Sequence, residues 1–173
     1  MKIFRIATVL ILLISLGSCA TKLSDKANKD TQEQVKKEVM QSLEEYYKQP
    51  FKLEKFNYEY KTDYGDVSGN HPSVTYGQYS FKVRAMNNPI IITNFYINDG
   101  DTKESIKGLI DSFKKNQLNS IYCMGLTKYY RYVNNNNKIL KQPYTEQAEK
   151  YCDSVGQDRY KMYKEYYLKH HTS

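Results

Sequence analysis

Apolar and polar positions change period several times along the chain, and each change marks an element. Val35, Val39, Leu43 and Tyr46 recur at helical spacing, with Met40 and Tyr47 widening the stripe and Lys36, Lys37, Glu44 and Glu45 opposite it. Asp30 with Glu33 and Thr31 with Gln34 form overlapping capping boxes ahead of that stripe, and Pro50 closes it. A helix is therefore expected over about 31–48. From Phe51 the period becomes two. Phe51 and Leu53 alternate with Lys52 and Glu54, then Phe56, Tyr58 and Tyr60 alternate in the opposite phase, which predicts a β-bulge near Lys55. Residues 61–73 carry two Gly, a Pro and several turn formers and read as a loop. Val74 and Tyr76, then Tyr79, Phe81, Val83 and Ala85, predict a second strand with a phase slip at Gly77-Gln78. Asn87-Asn88-Pro89 is a turn, and Ile90 to Ile97 is a third strand, so the three strands are expected as an antiparallel meander.

Beyond Asn98-Asp99-Gly100, Asp101 with Glu104 reads as the cap of a helix that buries Ile106, Leu109, Ile110 and Phe113 and runs to about residue 117. Ile121 to Leu126 and Lys128 to Val133 (KYYRYV) are expected as two short strands. Thr145 is expected to cap a last helix with Ala148, Tyr151, Cys152 and Val155 inward; Gly156 interrupts it before Tyr160, Tyr163 and Tyr167 (or Tyr166) resume the spacing. A helix, then a bulged antiparallel meander, then further helices implies an α+β fold with one face of the sheet covered.

Ahead of these elements lies a different pattern. Lys2 and Arg5 precede an apolar run of eleven residues, Ile6 to Leu16, too short for a spanning helix of about 20 residues. The run ends in Leu16-Gly17-Ser18-Cys19. This closely resembles the lipobox of bacterial lipoproteins. The resemblance implies that residues 1–18 are a signal peptide that is removed, and that the Cys19 thiol is joined to a diacylglycerol and becomes the new N-terminus. An ordinary secretory signal cut elsewhere, with Cys19 a structural thiol, is the other reading. Residues 19–30 are then the lipidated Cys and a small, polar tether, which as a random coil of about 11 residues spans roughly 20 Å, and residues 31–173 are a single domain. Ala20 is not Asp, which by the same resemblance implies sorting to the outer membrane if the source is Gram-negative; otherwise the anchor lies on the outside of the cytoplasmic membrane. The opening helix and Tyr-rich bulged strands of residues 31–97 also resemble the cystatin-like arrangement of small bacterial envelope lipoproteins.

Composition adds three points. The net charge is +7, two of the cations being Lys2 and Arg5, and the charge is spread without the dense stripe of a nucleic-acid binder. There are 18 Tyr, six Phe and no Trp, which suits half-buried sheet faces or a Tyr-rich contact surface. With Cys19 acylated, Cys123 and Cys152 remain as an even pair outside the cytoplasm, and a disulfide is expected; two buried thiols are the alternative.

Candidate chemistry is sparse. His71 lies in a Gly-Asn-His-Pro loop, and His170 and His171 read as a frayed chain end. No His-x-x-x-His or Glu-x-x-His pairing supports a metal site, and Asp99, Asp101 and Glu104 do not match the spacing of an EF-hand calcium loop. Cys123 sits in an apolar run that would raise its thiol pKa, and there is neither a Gly-x-Ser-x-Gly elbow nor a Gly-rich phosphate loop. No catalytic residue, cofactor or metal is expected. The sequence favours a membrane-anchored envelope protein that binds another macromolecule: an envelope protein, a cell-wall glycan or an incoming toxin, in an inhibitor or immunity mode. An envelope hydrolase built around His71 and a purely structural factor are the contrasting readings.

Overall fold

The computed structural model describes residues 20–65, 72–101 and 105–171. They form an α+β fold: a four-stranded mixed sheet with its helices gathered on one face and at one edge. The order is β1 (Thr21–Lys22), α1 (Lys29–Tyr47), β2 (Phe51–Asp63), β3 (Val74–Ala85) and β4 (Ile92–Asn98). Then follow α2 (Ile106–Asn116), α3 (Ile121–Asn135), α4 (Tyr144–Ser154) and α5 (Lys161–His171).

Strand β3 is the axis of the sheet. It pairs antiparallel with β2 along its whole length, from Ala85 opposite Phe51 to Val74 opposite Asp63. Its other edge is shared by β4, antiparallel, and by β1, parallel, which faces Val74 and Thr75. The bulge expected near Lys55 is present: Leu53 pairs with Val83 and Lys55 with Lys82, leaving Glu54 extra. The slip expected at Gly77-Gln78 is absent, because Tyr76 lies on the open face in register with Lys61 rather than turning inward.

Inward residues explain the helix layer. Phe81, Val83 and Phe95 from the sheet meet Val35, Val39 and Leu43 from α1 and Leu109, Ile110 and Phe113 from α2. A file of rings runs through this layer, with Phe81 stacked on Phe95 at 5.1 Å and Phe95 on Phe113 at 5.6 Å between centroids. Helix α1 begins earlier than the capping boxes suggested. Its N-cap is Asn28, whose Oδ1 accepts from the Thr31 N–H at 2.9 Å. Helix α2 is capped by Ser105, and Glu104 lies outside the described residues.

Residues 121–135 are one helix, not two strands. Tyr122, Leu126, Tyr130 and Val133 fall on one face at helical spacing and are all buried, so the core contact outweighs local β propensity. Helix α3 packs closely on Ile91, just ahead of β4: a Cβ at Gly125 would stand 2.7 Å from the Ile91 Cγ2. Cys123 of α3 and Cys152 of α4 are bonded, with S–S 2.10 Å and Cα–Cα 5.7 Å. Thr145 is buried inside the first turn of α4 rather than at its cap, and Val155 is exposed. The expected frayed end is helical: His171 Nε2 is 3.0 Å from Asn137 Oδ1.

The N-terminal stretch expected as a tether is fastened to the sheet. Thr21 N–H donates to Ser73 O and Leu23 N–H to Thr75 O, each at 2.8 Å. Tyr60 Oη donates to Ser24 O at 2.9 Å, and Tyr58 Oη accepts from the Ala27 N–H at 2.8 Å. The folded part therefore includes Thr21, ten residues ahead of the expected boundary at 31.

Candidate binding face

Among the described residues, helices cover one side of the sheet and reach round its β4 edge, and the alternation of each strand places a polar set on the other side. Register groups this open face into cross-strand rows: Lys52–Arg84–Ile92, Lys55–Lys82–Asn94, Asn57–Ser80–Tyr96 and Glu59–Gln78–Asn98, with Lys61 beside Tyr76 at the end. Lys61 Nζ donates to Gln78 Oε1 at 2.9 Å and sits 5.5 Å from the Tyr76 ring centre, while Gln78 Nε2 donates to Asn98 Oδ1 at 2.8 Å. Tyr96 is 55% exposed in the middle of the surface. The face is a ladder of amides, hydroxyls and cations.

The bulge controls its charge. It turns Glu54 to the same side as Lys55, and Glu54 then bonds Arg84 Nε at 2.6 Å and Lys82 Nζ at 3.0 Å. Arg84 also donates to Pro89 O at 3.0 Å, which fixes the guanidinium at the end of the strand. Hydrogen bonding from Lys82, and then from Arg84, holds the Glu54 carboxyl below its ordinary value. Lys52, Lys55 and Lys61 remain in excess over Glu59, so the face as a whole is positive.

At the Arg84 end the face deepens into a groove of about 670 Å³ between the sheet, α3 and the segment after it. Ile90, Ile92, Tyr132, Val133 and Ile139 supply apolar surface there, Tyr132 and Ile139 being 54% and 86% exposed. Lys82, Arg84, Lys128, Lys138 and Lys141 surround it; among the described residues no carboxylate lines it, Glu54 reaching Lys82 and Arg84 from beside it. The Lys141 N–H donates to Tyr129 Oη at 3.0 Å, which ties the outer wall to α3. An apolar floor inside a cationic rim suits apolar side chains flanked by negative charge.

The residues singled out by sequence for chemistry do not gather here. Cys19 and His71 lie outside the described residues. His170 Nδ1 lies 2.8 Å from Tyr166 O, and His171 meets Tyr167 O and Asn137. Asp99 accepts from the Gly77 N–H at 2.6 Å and from Ser24 Oγ, so it braces the sheet end against the N-terminal segment. Among the described residues no group of His, Cys, Asp or Glu is placed to hold a metal ion. Sequence reasoning missed the groove because its wall belongs to α3, which read as strands; the lysines at 128, 138 and 141 were visible, but not their convergence with Lys82 and Arg84.

The fold and the face define an α+β protein with one helix-covered and one open, cationic sheet surface. Comparison with protein-family models, with curated proteins and with solved structures returns no match.

Proposed function

We propose that the protein is a lipid-anchored envelope module that captures an acidic protein partner on its open sheet face and the adjoining groove. The lipobox-like Leu16-Gly17-Ser18-Cys19 supports the anchor, with Cys19 carrying the lipid. The bonded pair Cys123–Cys152 suits an oxidising compartment. The observation that carries the binding role is the groove: apolar side chains ringed by Lys128, Lys138 and Lys141, with Lys82 and Arg84, both paired to Glu54, on the sheet side. A protein surface satisfies both parts at once, through apolar anchors in the floor and carboxylates at the rim. An inhibitor or immunity role is one form of this activity, since a tethered domain can occupy the cleft of an acidic enzyme.

The test is crosslinking and pull-down of the native lipoprotein from intact cells, beside a Lys128→Glu/Lys138→Glu/Lys141→Glu variant and a Cys19→Ser variant. All three lysines are exposed, so charge reversal leaves the core untouched. The native protein is expected to bring down one stoichiometric partner, in a salt-sensitive manner, and the triple variant to lose it. Cys19→Ser is expected to remain unlipidated. An unchanged partner yield from the triple variant would overturn the groove as the binding site, and recovery of cell-wall fragments in place of protein would overturn the partner class.

A further inference from the structure

Helix α3 borders two clefts, and one side chain is common to both. The groove at the Arg84 end takes Lys128 and Tyr132 from it. A second cleft of about 560 Å³ takes Met124, Lys128 and Arg131 from the same helix and closes against Asn94 of β4 and residues 156–159, between α4 and α5. This cleft is cationic as well. Arg131 and Arg159 join Lys128 there, and among the described residues Asp158 is the one carboxylate in the lining. None of the three cations forms an ion pair among the described residues. Arg131 lies instead over the Tyr163 ring, 5.6 Å from its centre.

Met124, Lys128 and Tyr132 stand four residues apart on α3 and form an exposed ridge that runs from the second cleft into the groove. Met124 is 43% exposed, Tyr132 more so, and the lysine lies between them. Four residues of helix rise about 6.0 Å. Two residues of extended chain advance about 6.6 Å and return a side chain to the same face. An extended peptide laid along α3 therefore keeps step with the ridge, its side chains at i, i+2 and i+4 meeting Met124, Lys128 and Tyr132 in turn. The order along the ridge is apolar, cationic, apolar, and its complement is apolar, acidic, apolar.

We infer that the partner presents an extended acidic segment along α3, with apolar side chains at i and i+4 over Met124 and Tyr132 and a carboxylate at i+2 against Lys128. This rests on the reading of the groove as the site of an acidic protein. The ridge is short: eight steps of helix, about 12 Å, separate its two apolar ends. Five residues of partner cover it. Acidic residues beyond the Met124 end meet Arg131 and Arg159 of the second cleft, which extends the charge complementarity past the groove.

The test uses the full chain, purified in detergent, and two fluorescein-labelled peptides of one composition, read by anisotropy. Both peptides carry leucines at i and i+4 in a Gly-Ser background; the glutamate stands at i+2 in the first and at i+3 in the second. In an extended chain only the first turns all three side chains to one face, whereas in a helix the second does so. The first is expected to bind at least about tenfold more tightly. Lys128→Glu is expected to remove that preference, and Met124→Ala and Tyr132→Ala each to weaken binding of the first peptide several-fold; all three positions are exposed, so the fold is not at stake. Equal binding of the two peptides would reduce the ridge to an unspecific cationic surface. Tighter binding of the second would mean a helical occupant, and binding of neither would remove the segment; each of these overturns the extended mode. The pull-down with the triple lysine variant reports separately on the groove. A partner lost in that variant while the peptides fail to discriminate removes the extended mode alone, and a partner retained removes the acidic-protein reading with it.

Discussion

Glu54 illustrates how one residue sets the character of a surface. Lys55 and Lys82 stand directly opposite each other across β2 and β3, an arrangement of like charges that weakens a sheet. The bulge adds Glu54 beside them, 3.0 Å from Lys82 and 2.6 Å from Arg84, with its side chain 16% exposed. The partners are themselves one-third to two-fifths exposed, so solvent screening discounts the pair, and Glu54→Gln is expected to cost about 1 kcal/mol of stability near neutral pH. The native carboxyl lies below its ordinary value of 4.5, so its contribution is complete above that pH and is lost as the pH falls through the lowered native value. Urea denaturation of wild type and Glu54→Gln at pH 7 and at pH 3 measures this: the gap between the two should shrink in acid, and a gap that persists would contradict it. The same residue marks what could be read from sequence. Two alternation phases on either side of Lys55 exposed the bulge, because apolar residues there point inward without exception. At Gly77 the rule failed, since Tyr76 is an aromatic residue placed outward against Lys61. Aromatic character alone does not tell which face a tyrosine takes.

At the scale of elements, the bridge between α3 and α4 fixes one helix against the other. It spans 29 residues of sequence and joins two helices that lie beyond the meander. In the chain-entropy account, closing such a loop stabilises by about 3–4 kcal/mol. The Cys123→Ala/Cys152→Ala double variant is expected to show a lower midpoint in urea by that amount, with far-UV circular dichroism unchanged at low denaturant; an unchanged midpoint would mean that helix packing alone holds α4. The elements between residues 31 and 116 were legible in kind and order among the described residues, because their stripes have the regular periods of half-buried elements, although Lys61–Asp63, expected in a loop, continue β2. Residues 121–135 were not. Tyr122, Tyr129, Tyr130 and Tyr132 fall on several sides of one helix, and α3 is buried against Ile91, Tyr151 and Tyr160, so its apolar pattern is too broad for a simple stripe. The segment before α1 misled for another reason. Its hydrogen bonds run through backbone groups and through Tyr58 and Tyr60, and a small polar composition carries no sign of them.

The molecule as a whole buries several tyrosines among its aliphatic and phenylalanine core, and this gives it a characteristic response to alkali. Burial pushes the phenols of Tyr47, Tyr79, Tyr130 and Tyr160 well above their ordinary value of 10, and that of Tyr151 up to about 12. An unfolded chain loses these protons first. Stability is therefore full below about pH 10 and declines as the pH rises toward the native values. Phenolate absorbance followed with circular dichroism is expected to show exposed tyrosines ionising reversibly near pH 10 and the rest in one steep step coincident with loss of fold. A single smooth titration of all 18 with structure intact would refute the buried-phenol account. Among the described residues the sheet also has a side that no other strand occupies: β2, thirteen residues long, has β3 as its only strand neighbour there. A bare edge of that length is a template on which a second copy can add its own strand. Lys52, Lys55 and Lys61 place repelling charge along it, and the kink at Glu54 breaks its straightness. The cations that we propose to meet an acidic partner thus also stand where crowded copies would have to zip together edge to edge. On the proposed reading, substitutions that tune capture fall on lysines whose loss invites self-association.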